Sequence, residues 1–476
     1  MDSRKKTDIL IVGSGCAGLY CALNLPKDKQ VLIITKADVA SSDSFLAQGG
    51  ICMLRDEEDY EAYFNDTMKA GHYENDKESV DLMLRLSQDV IKDLVSYGVD
   101  FQREITGEFA FTKEGGHSRN RILYHKDITG KEITSHLYDK VKQLPNVTIL
   151  EHTMMLDIIS KDNVCYGAVV KHEDGSINLI EAGETVLATG GIGGIYEHST
   201  NYKHLTGDAI AISIKHGVKL WNVNYVQIHP TTLYTKTKEE RSFLISESVR
   251  GEGAKLYDKN MNRFVNELLP RDILTAEIYK QMELDETDFV WEDLRTIPPD
   301  ELESHFPNII EHCRKMGYDV AKECIPVVPA QHYFMGGIRV DHNSKTSMIG
   351  LHAVGETACN GVHGKNRLAS NSLLESLVFS KRAAKEIGSS NVRRTTDSAV
   401  FENCDLTTYQ DTKKIEEEYK RLVLDEIARK NEESKSSKPM ESISLTEKNK
   451  STNPVKSTEK IVYVKHRKTN LKSEVC

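Results

Sequence analysis

Asp8-Ile9-Leu10-Ile11-Val12-Gly13-Ser14-Gly15-Cys16-Ala17-Gly18 decides the architecture. The apolar residues before Gly13 read as a short buried strand, and Leu19-Tyr20-Cys21-Ala22-Leu23 after Gly18 opens an apolar helix. Val31-Leu32-Ile33-Ile34-Thr35 supplies the next strand. Strand, glycine turn, helix and strand make a β-α-β unit, and Gly13-x-Gly15-x-x-Gly18 in that setting is a dinucleotide fingerprint. Gly13 permits the tight turn, Gly15 lets backbone approach a pyrophosphate, and Gly18 lets helix and strand pack closely. The helix N-terminus adds N–H donors and positive dipole for the phosphates. The acid that usually ends the second strand and holds the ribose hydroxyls is absent. Thr35-Lys36 stand there, with Asp38 the nearest carboxylate.

Further along, apolar residues at Val80, Met83, Leu84, Val90, Ile91, Leu94 and Val95 predict a helix over 79–96, with Gly98 just past its end. Strand signals recur at 147–150, 165–170 and 184–188, the last running into Thr189-Gly190-Gly191. A helix is expected over 207–216. From about Ser389 the chain loses apolar residues. Residues 411–430 keep helical spacing at Ile415, Tyr419, Leu422 and Ile427, and 431–460 is rich in Ser, Lys, Glu and Thr, the composition of a loose, solvated tail. No internal repeat is present.

The chain of 476 residues is 39% hydrophobic and 28% charged, ordinary for a soluble globular protein of two or three domains. A net charge of −10 argues against nucleic acid as the main partner, while a local cationic pocket could still hold small anions. No apolar run is long enough for a transmembrane helix. Met1-Asp2-Ser3-Arg4-Lys5-Lys6 leads into a strand pattern rather than a signal peptide. The nine cysteines are scattered without a C-x-x-C pair, as in reduced thiols of a cytoplasmic enzyme, and Cys476 as the last residue cannot be a prenylation site.

The glycine fingerprint does not separate FAD from NAD. Two later loops favour FAD: Ser44-Phe45-Leu46-Ala47-Gln48-Gly49-Gly50, where an isoalloxazine could lie close to backbone, and the turn after Ala188. Cationic and polar residues recur in unusual settings: Gln227-Ile228-His229-Pro230-Thr231, Ser246-Glu247-Ser248-Val249-Arg250-Gly251-Glu252-Gly253, Pro270-Arg271-Asp272 at an expected helix start, Gln331-His332-Tyr333, and Gly364-Lys365-Asn366-Arg367 leading into Leu368-Ala369-Ser370-Asn371-Ser372-Leu373-Leu374-Glu375. A dicarboxylate needs two anion sites, which arginine fills by bidentate bonding with histidine or serine completing each shell.

In order, the segments G-S-G-C-A-G, A-Q-G-G-I, T-K-E-G-G-H-S, L-A-T-G-G, Q-I-H-P-T, R-G-E-G-A, P-R-D, V-P-A-Q-H-Y, A-V-G-E and N-R-L-A-S-N-S-L-L-E lie within a stretch from about residue 8 to about residue 387. Together they resemble the L-aspartate oxidases, within the succinate dehydrogenase/fumarate reductase flavoprotein superfamily. The resemblance implies an α/β fold: a Rossmann-like FAD-binding domain (1–222 and 336–390), an inserted α+β capping domain (223–335) and a short helical, partly disordered C-terminal region (391–476). That region is shorter than the compact helical domain usual in the family.

For matching positions it implies FAD contacts at Gly13, Ser14, Gly15, Cys16, Ala17, Gly18, Lys36, Asp43, Ser44, Phe45, Leu46, Ala47, Gln48, Gly49, Gly50, Asp208, Glu356, Ser372 and Leu373. It implies a catalytic Arg271 and substrate contacts at His229, Ser246, His332 and Arg367, with no metal. Ser246 stands where the family often has threonine, with the hydroxyl kept. Asp43 stands where succinate dehydrogenases and membrane-bound fumarate reductases carry the histidine that bonds covalently to FAD, so non-covalent FAD is implied. Glu114 stands where the dicarboxylate enzymes have an apolar residue, and a carboxylate there can pair with a substrate ammonium.

The function so implied is oxidation of L-aspartate to iminoaspartate, with O2 (giving H2O2) or fumarate as electron acceptor. It is the first step of NAD biosynthesis through quinolinate, with functional coupling to a quinolinate synthase. Arginine is a difficult base with a pKa above about 12, so an electrostatic role is expected for Arg271. A soluble fumarate reductase or succinate dehydrogenase flavoprotein is the alternative, opposed by Asp43 and Glu114. A flavin-binding module without catalysis is a third reading, opposed by Arg271, His332 and Arg367.

Overall fold

The structure is a computed structural model that describes residues 4–236, 241–389 and 398–436. The polar stretch from 437 onward, with Cys476, lies outside the described residues.

Strand Arg4–Val12 pairs in parallel with Val31–Ile34, Leu10 opposite Leu32, and on its other side with Ile177–Leu187, Leu10 opposite Thr185. The sheet runs Val147–Leu150, Val31–Ile34, Arg4–Val12, Ile177–Leu187, Val164–Lys171, Met154–Lys161, with Leu351–Ala353 added on the end of Ile177–Leu187. Residues 9–12 and Val31–Ile34 are continuous apolar runs because both faces of the sheet are covered there. Ile9, Ile11, Val31 and Ile33 face one core with Tyr20, Leu84 and Leu377, while Leu10, Val12, Leu32 and Ile34 face the other with Ile210 and Ile212. The two-residue period of a strand divides one apolar run between two cores.

The helix expected over 79–96 spans Lys77–Tyr97; Asp76 accepts the Ser79 N–H at its start, and Gly98, at φ 103°, ends it in the left-handed conformation. The helix expected over 207–216 spans Asp208–Lys215 after Gly207. Two strands run longer than their apolar patterns. Arg4–Val12 begins before Asp8, and Ile177–Leu187 begins before residue 184 because its first half pairs antiparallel with Val164–Lys171. Hydrogen-bonded backbone extends past the residues that bury side chains.

A second sheet, ordered Val226–Leu233, Ile325–Phe334, Val290–Asp293, Lys255–Tyr257, is wholly antiparallel. Helix Arg271–Asp285 packs against it, and Ile245, Leu274, Ile278 and Val327 belong to a core separate from the other two. Helix Thr412–Ser436 lies on Asp208–Lys215 through Tyr419 and Val423. The described cysteines are all free thiols. Among the described residues no helix is long and apolar enough to cross a membrane.

Candidate active site

One long crevice starts at the C-terminal ends of the central parallel strands, the usual ligand position in such sheets, and ends against the antiparallel sheet. Val12, Ile34 and Ala188 line one end, and His229, Ser246 and His332 the other.

At the first end Gly13 has φ +114°, and a Cβ there would lie 2.0 Å from Ala188 O. A Cβ at Gly18 would lie 2.1 Å from Gly13 O. Ser44 Oγ accepts the Cys16 N–H at 3.2 Å, so the glycine turn and the 44–50 loop are tied together. No acid takes the ribose position. Ser14 Oγ donates to Thr35 Oγ1 at 2.9 Å, and Lys36 Nζ donates to Asp208 at 2.8 Å and Thr206 at 3.0 Å. Asp38 is instead 67% exposed, pairs with His152, and is not part of the wall.

Along the crevice, four buried wall atoms have no partner in the protein: Asp43 Oδ2, Gln48 Oε1, Asn201 Oδ1 and Arg367 Nε. Buried polar atoms are rarely left so, and an extended polar ligand would satisfy them. With the glycine cradle, they fit a bound dinucleotide. Asp43 Oδ1 accepts the Tyr202 N–H, and Glu356 accepts the Phe334 N–H. Burial raises both carboxyls, and the charge of Asp43 adds to the rise at Glu356.

At the far end two arginines converge. Arg271 opens its helix after Pro270, and its Nε donates to Glu247 Oε2 at 2.5 Å while Nη1 donates to Gln227 Oε1 at 2.8 Å. Gln227 Nε2 in turn donates to Arg367 O at 2.9 Å and Asn366 Oδ1 at 2.8 Å, so one amide links both arginines. Arg367 donates to Ser372 Oγ at 3.1 Å, with its guanidinium 4.5 Å from the centre of the Tyr333 ring. Burial and Arg271 lower its pKa to about 10, which leaves it cationic at neutral pH.

His229 and His332 stand with ring centres 5.1 Å apart. Burial first, then Arg271, pushes both well below the ordinary histidine value, so they are neutral partners. The charge for a dianion therefore comes from Arg271 and Arg367. Glu114 lies between these groups and Gly49, 4% exposed; a Cβ on Gly49 would meet its Oε1 at 2.5 Å. Burial and Glu247 raise its pKa, while Arg271, Ser370 and Ser248 oppose the rise.

Of the expected cofactor contacts, Cys16, Gly18 and Phe45 are not among the residues lining the crevice. Cys16 Sγ meets Ser44 Oγ at 3.2 Å, and the Phe45 ring lies 5.9 Å from Lys131 Nζ. Gln227, Glu247, Ser248 and Ser370 surround the site without having been assigned roles from the sequence. Each lies inside a segment quoted above, and only the folded arrangement shows whom each one faces.

The FAD binding domain family matches residues 8–373. An L-aspartate oxidase of Clostridium perfringens is 50% identical over 386 residues, 81% of this chain and 88% of that one. The chain belongs to the L-aspartate oxidase family. A second member, from Clostridium acetobutylicum, is 46% identical over 385 residues, again 81% of this chain and 88% of its own length. A variant of E. coli quinol fumarate reductase superposes with a TM-score of 0.80 at 29% identity, covering 87% of this chain and 74% of that one. The shared fold and the family match make this chain an FAD-dependent oxidoreductase.

Proposed function

We propose that this chain oxidises L-aspartate to iminoaspartate through non-covalently bound FAD, opening NAD biosynthesis by way of quinolinate. The observation that carries the reading is Glu114: a buried carboxylate set among two buried arginines suits an ammonium flanked by two carboxylates. Arg367, His332 and His229 hold carboxylate oxygens, with Ser246, whose hydroxyl otherwise donates to Ser248 Oγ, turned toward them as a further donor. Arg271, held by Glu247 and Gln227, fixes the substrate and supplies charge. Glu114 accepts from the substrate ammonium and turns C2 toward the cofactor. When bound, FAD supplies the two-electron acceptor for the C2–H bond and returns the electrons to O2, giving H2O2, or to fumarate.

Ser14, Gly15, Ala17, Lys36, Asp43, Ser44, Leu46 to Gly50, Asp208, Glu356, Ser372 and Leu373 hold the cofactor in this reading, with Asp43 in place of a covalently bonding histidine. Residues 223–335 act as the cap over residues 1–222 and 336–390. The enzyme works in the cytoplasm and hands its labile imine to a quinolinate synthase. Anaerobic titration of the flavin-loaded protein tests the assignment: L-aspartate bleaches the flavin absorbance, and succinate does not. Bleaching by succinate in preference to aspartate would replace it with a dicarboxylate oxidoreductase.

A further inference from the structure

Both carboxylate oxygens of Glu114 are taken by hydroxyls. Ser248 Oγ donates to Oε1 at 2.8 Å and Ser370 Oγ donates to Oε2 at 2.6 Å. The donors come from opposite walls. Ser248 sits in the short helix Glu247–Gly251 beside the antiparallel sheet, and Ser370, at φ 62°, precedes helix Asn371–Ser389. Ser248 Oγ also accepts the Ser246 hydroxyl at 3.2 Å. A chain of hydroxyls thus runs from Ser246, at the carboxylate end of the site, to Glu114 at the ammonium end.

A serine hydroxyl has one proton to give. Ser248 gives its proton to Glu114, and that donation favours the ionised carboxylate. The other groups facing Glu114 divide: burial and the Glu247 charge favour the neutral acid, while Arg271, the Ser370 hydroxyl and Arg367 favour the anion. The Cys52 thiol also lies within reach of its charge and is pushed up by burial. A neutral Glu114 offers an ammonium no charge. A plain dicarboxylate has no ammonium and gains nothing from the ionised state.

We propose that Ser248 is a positioning residue for substrate choice: it holds Glu114 as an aimed carboxylate, and so selects amino dicarboxylates over plain ones. The proposal rests on reading Glu114 as the ammonium partner. Its test uses the full-length, flavin-loaded protein with Ser248→Ala, Ser248→Thr and Glu114→Gln, comparing L-aspartate kinetics across pH with the inhibition constant of succinate. With Ser248→Ala, kcat/KM for aspartate falls about tenfold, chiefly through KM, as expected for a lost bond to a charged group. The acid limb of its pH profile moves up, succinate inhibition does not weaken, and Ser248→Thr restores wild-type behaviour.

Unchanged aspartate kinetics in Ser248→Ala, equal losses toward aspartate and succinate, or failure of Ser248→Thr to rescue would each overturn the proposal. Should the alanine variant not retain FAD, Ser248→Cys, a near-isosteric weaker donor, gives the same comparison. Its predicted loss is smaller and in the same direction, and wild-type aspartate kinetics there would overturn the proposal too. Glu114→Gln separates the two layers. If it discriminates aspartate from succinate as the wild type does, both readings fall; if it loses discrimination while Ser248→Ala keeps it, only the role of Ser248 falls.

Discussion

Arg271 Nε lies 2.5 Å from Glu247 Oε2, and both side chains are buried at the far end of the crevice. With Nη1 on Gln227, the guanidinium is oriented before any substrate arrives. Arg271→Lys keeps a charge but loses this planar fork. It is expected to lower kcat by about 10²- to 10³-fold, the range for loss of a preorganised electrostatic contact, with FAD retained. Arg271→Leu with full aspartate turnover would eliminate the catalytic role.

Glu292 lies in strand Val290–Asp293, fully buried, with no hydrogen-bond partner for either carboxylate oxygen. Burial pushes its pKa up to about 7, with Arg250 opposing and Glu267 adding. Because the folded pKa exceeds the unfolded one, folding takes up a proton between about 4.5 and 7. The wild type therefore loses stability as pH rises through that window. Glu292→Gln removes this dependence, so its melting temperature should gain on the wild type with rising pH, by the equivalent of about 3 kcal/mol at pH 8. A constant offset between the two melting curves across pH 4–8 would refute the assignment.

Gly13 combines φ +114° with a backbone carbonyl 2.0 Å from where a Cβ would stand. Gly13→Ala must displace the turn proposed to meet the pyrophosphate. The purified variant is expected to contain less than about a tenth of the wild-type flavin per chain, an estimate that follows from strain of this size, read from visible absorbance. Wild-type flavin content would show that the turn is not the cradle.

Asp157 gathers Lys215 at 2.9 Å, His216 at 2.8 Å and Tyr409 at 3.1 Å, joining strand Met154–Lys161, helix Asp208–Lys215 and the C-terminal segment. Burial works against its charge, but His216 and Lys215 outweigh it and hold the carboxyl below its ordinary value. The stabilisation is present above the unfolded pKa and is lost as pH falls through the lower folded one. Asp157→Asn should destabilise by about 3 kcal/mol at neutral pH, read by denaturant unfolding. Aspartate turnover should stay near wild type, because this cluster is not part of the crevice wall.

How much was legible varies by residue. Local sterics and burial make Gly13, Gly98 and the alternation in Ile9 to Val12 readable without neighbours, because each constraint acts within a few residues. The extra length of Ile177–Leu187 was not legible, since it comes from pairing with a strand whose apolar pattern says nothing about its partner. The four-stranded sheet was legible only as an inserted segment, through family resemblance.

At the site, the residue types alone pointed to a dinucleotide and to anions: glycines before a helix, arginines and histidines beside small residues. Long-range geometry decided the rest. Lys36 finds Asp208, Gln227 joins two arginines, Asp38 turns outward, and Ser248 and Ser370 close on Glu114 from opposite walls. A hydrogen bond acts over about 3 Å. The chain states which donors and acceptors exist, and only the folded backbone states which of them meet.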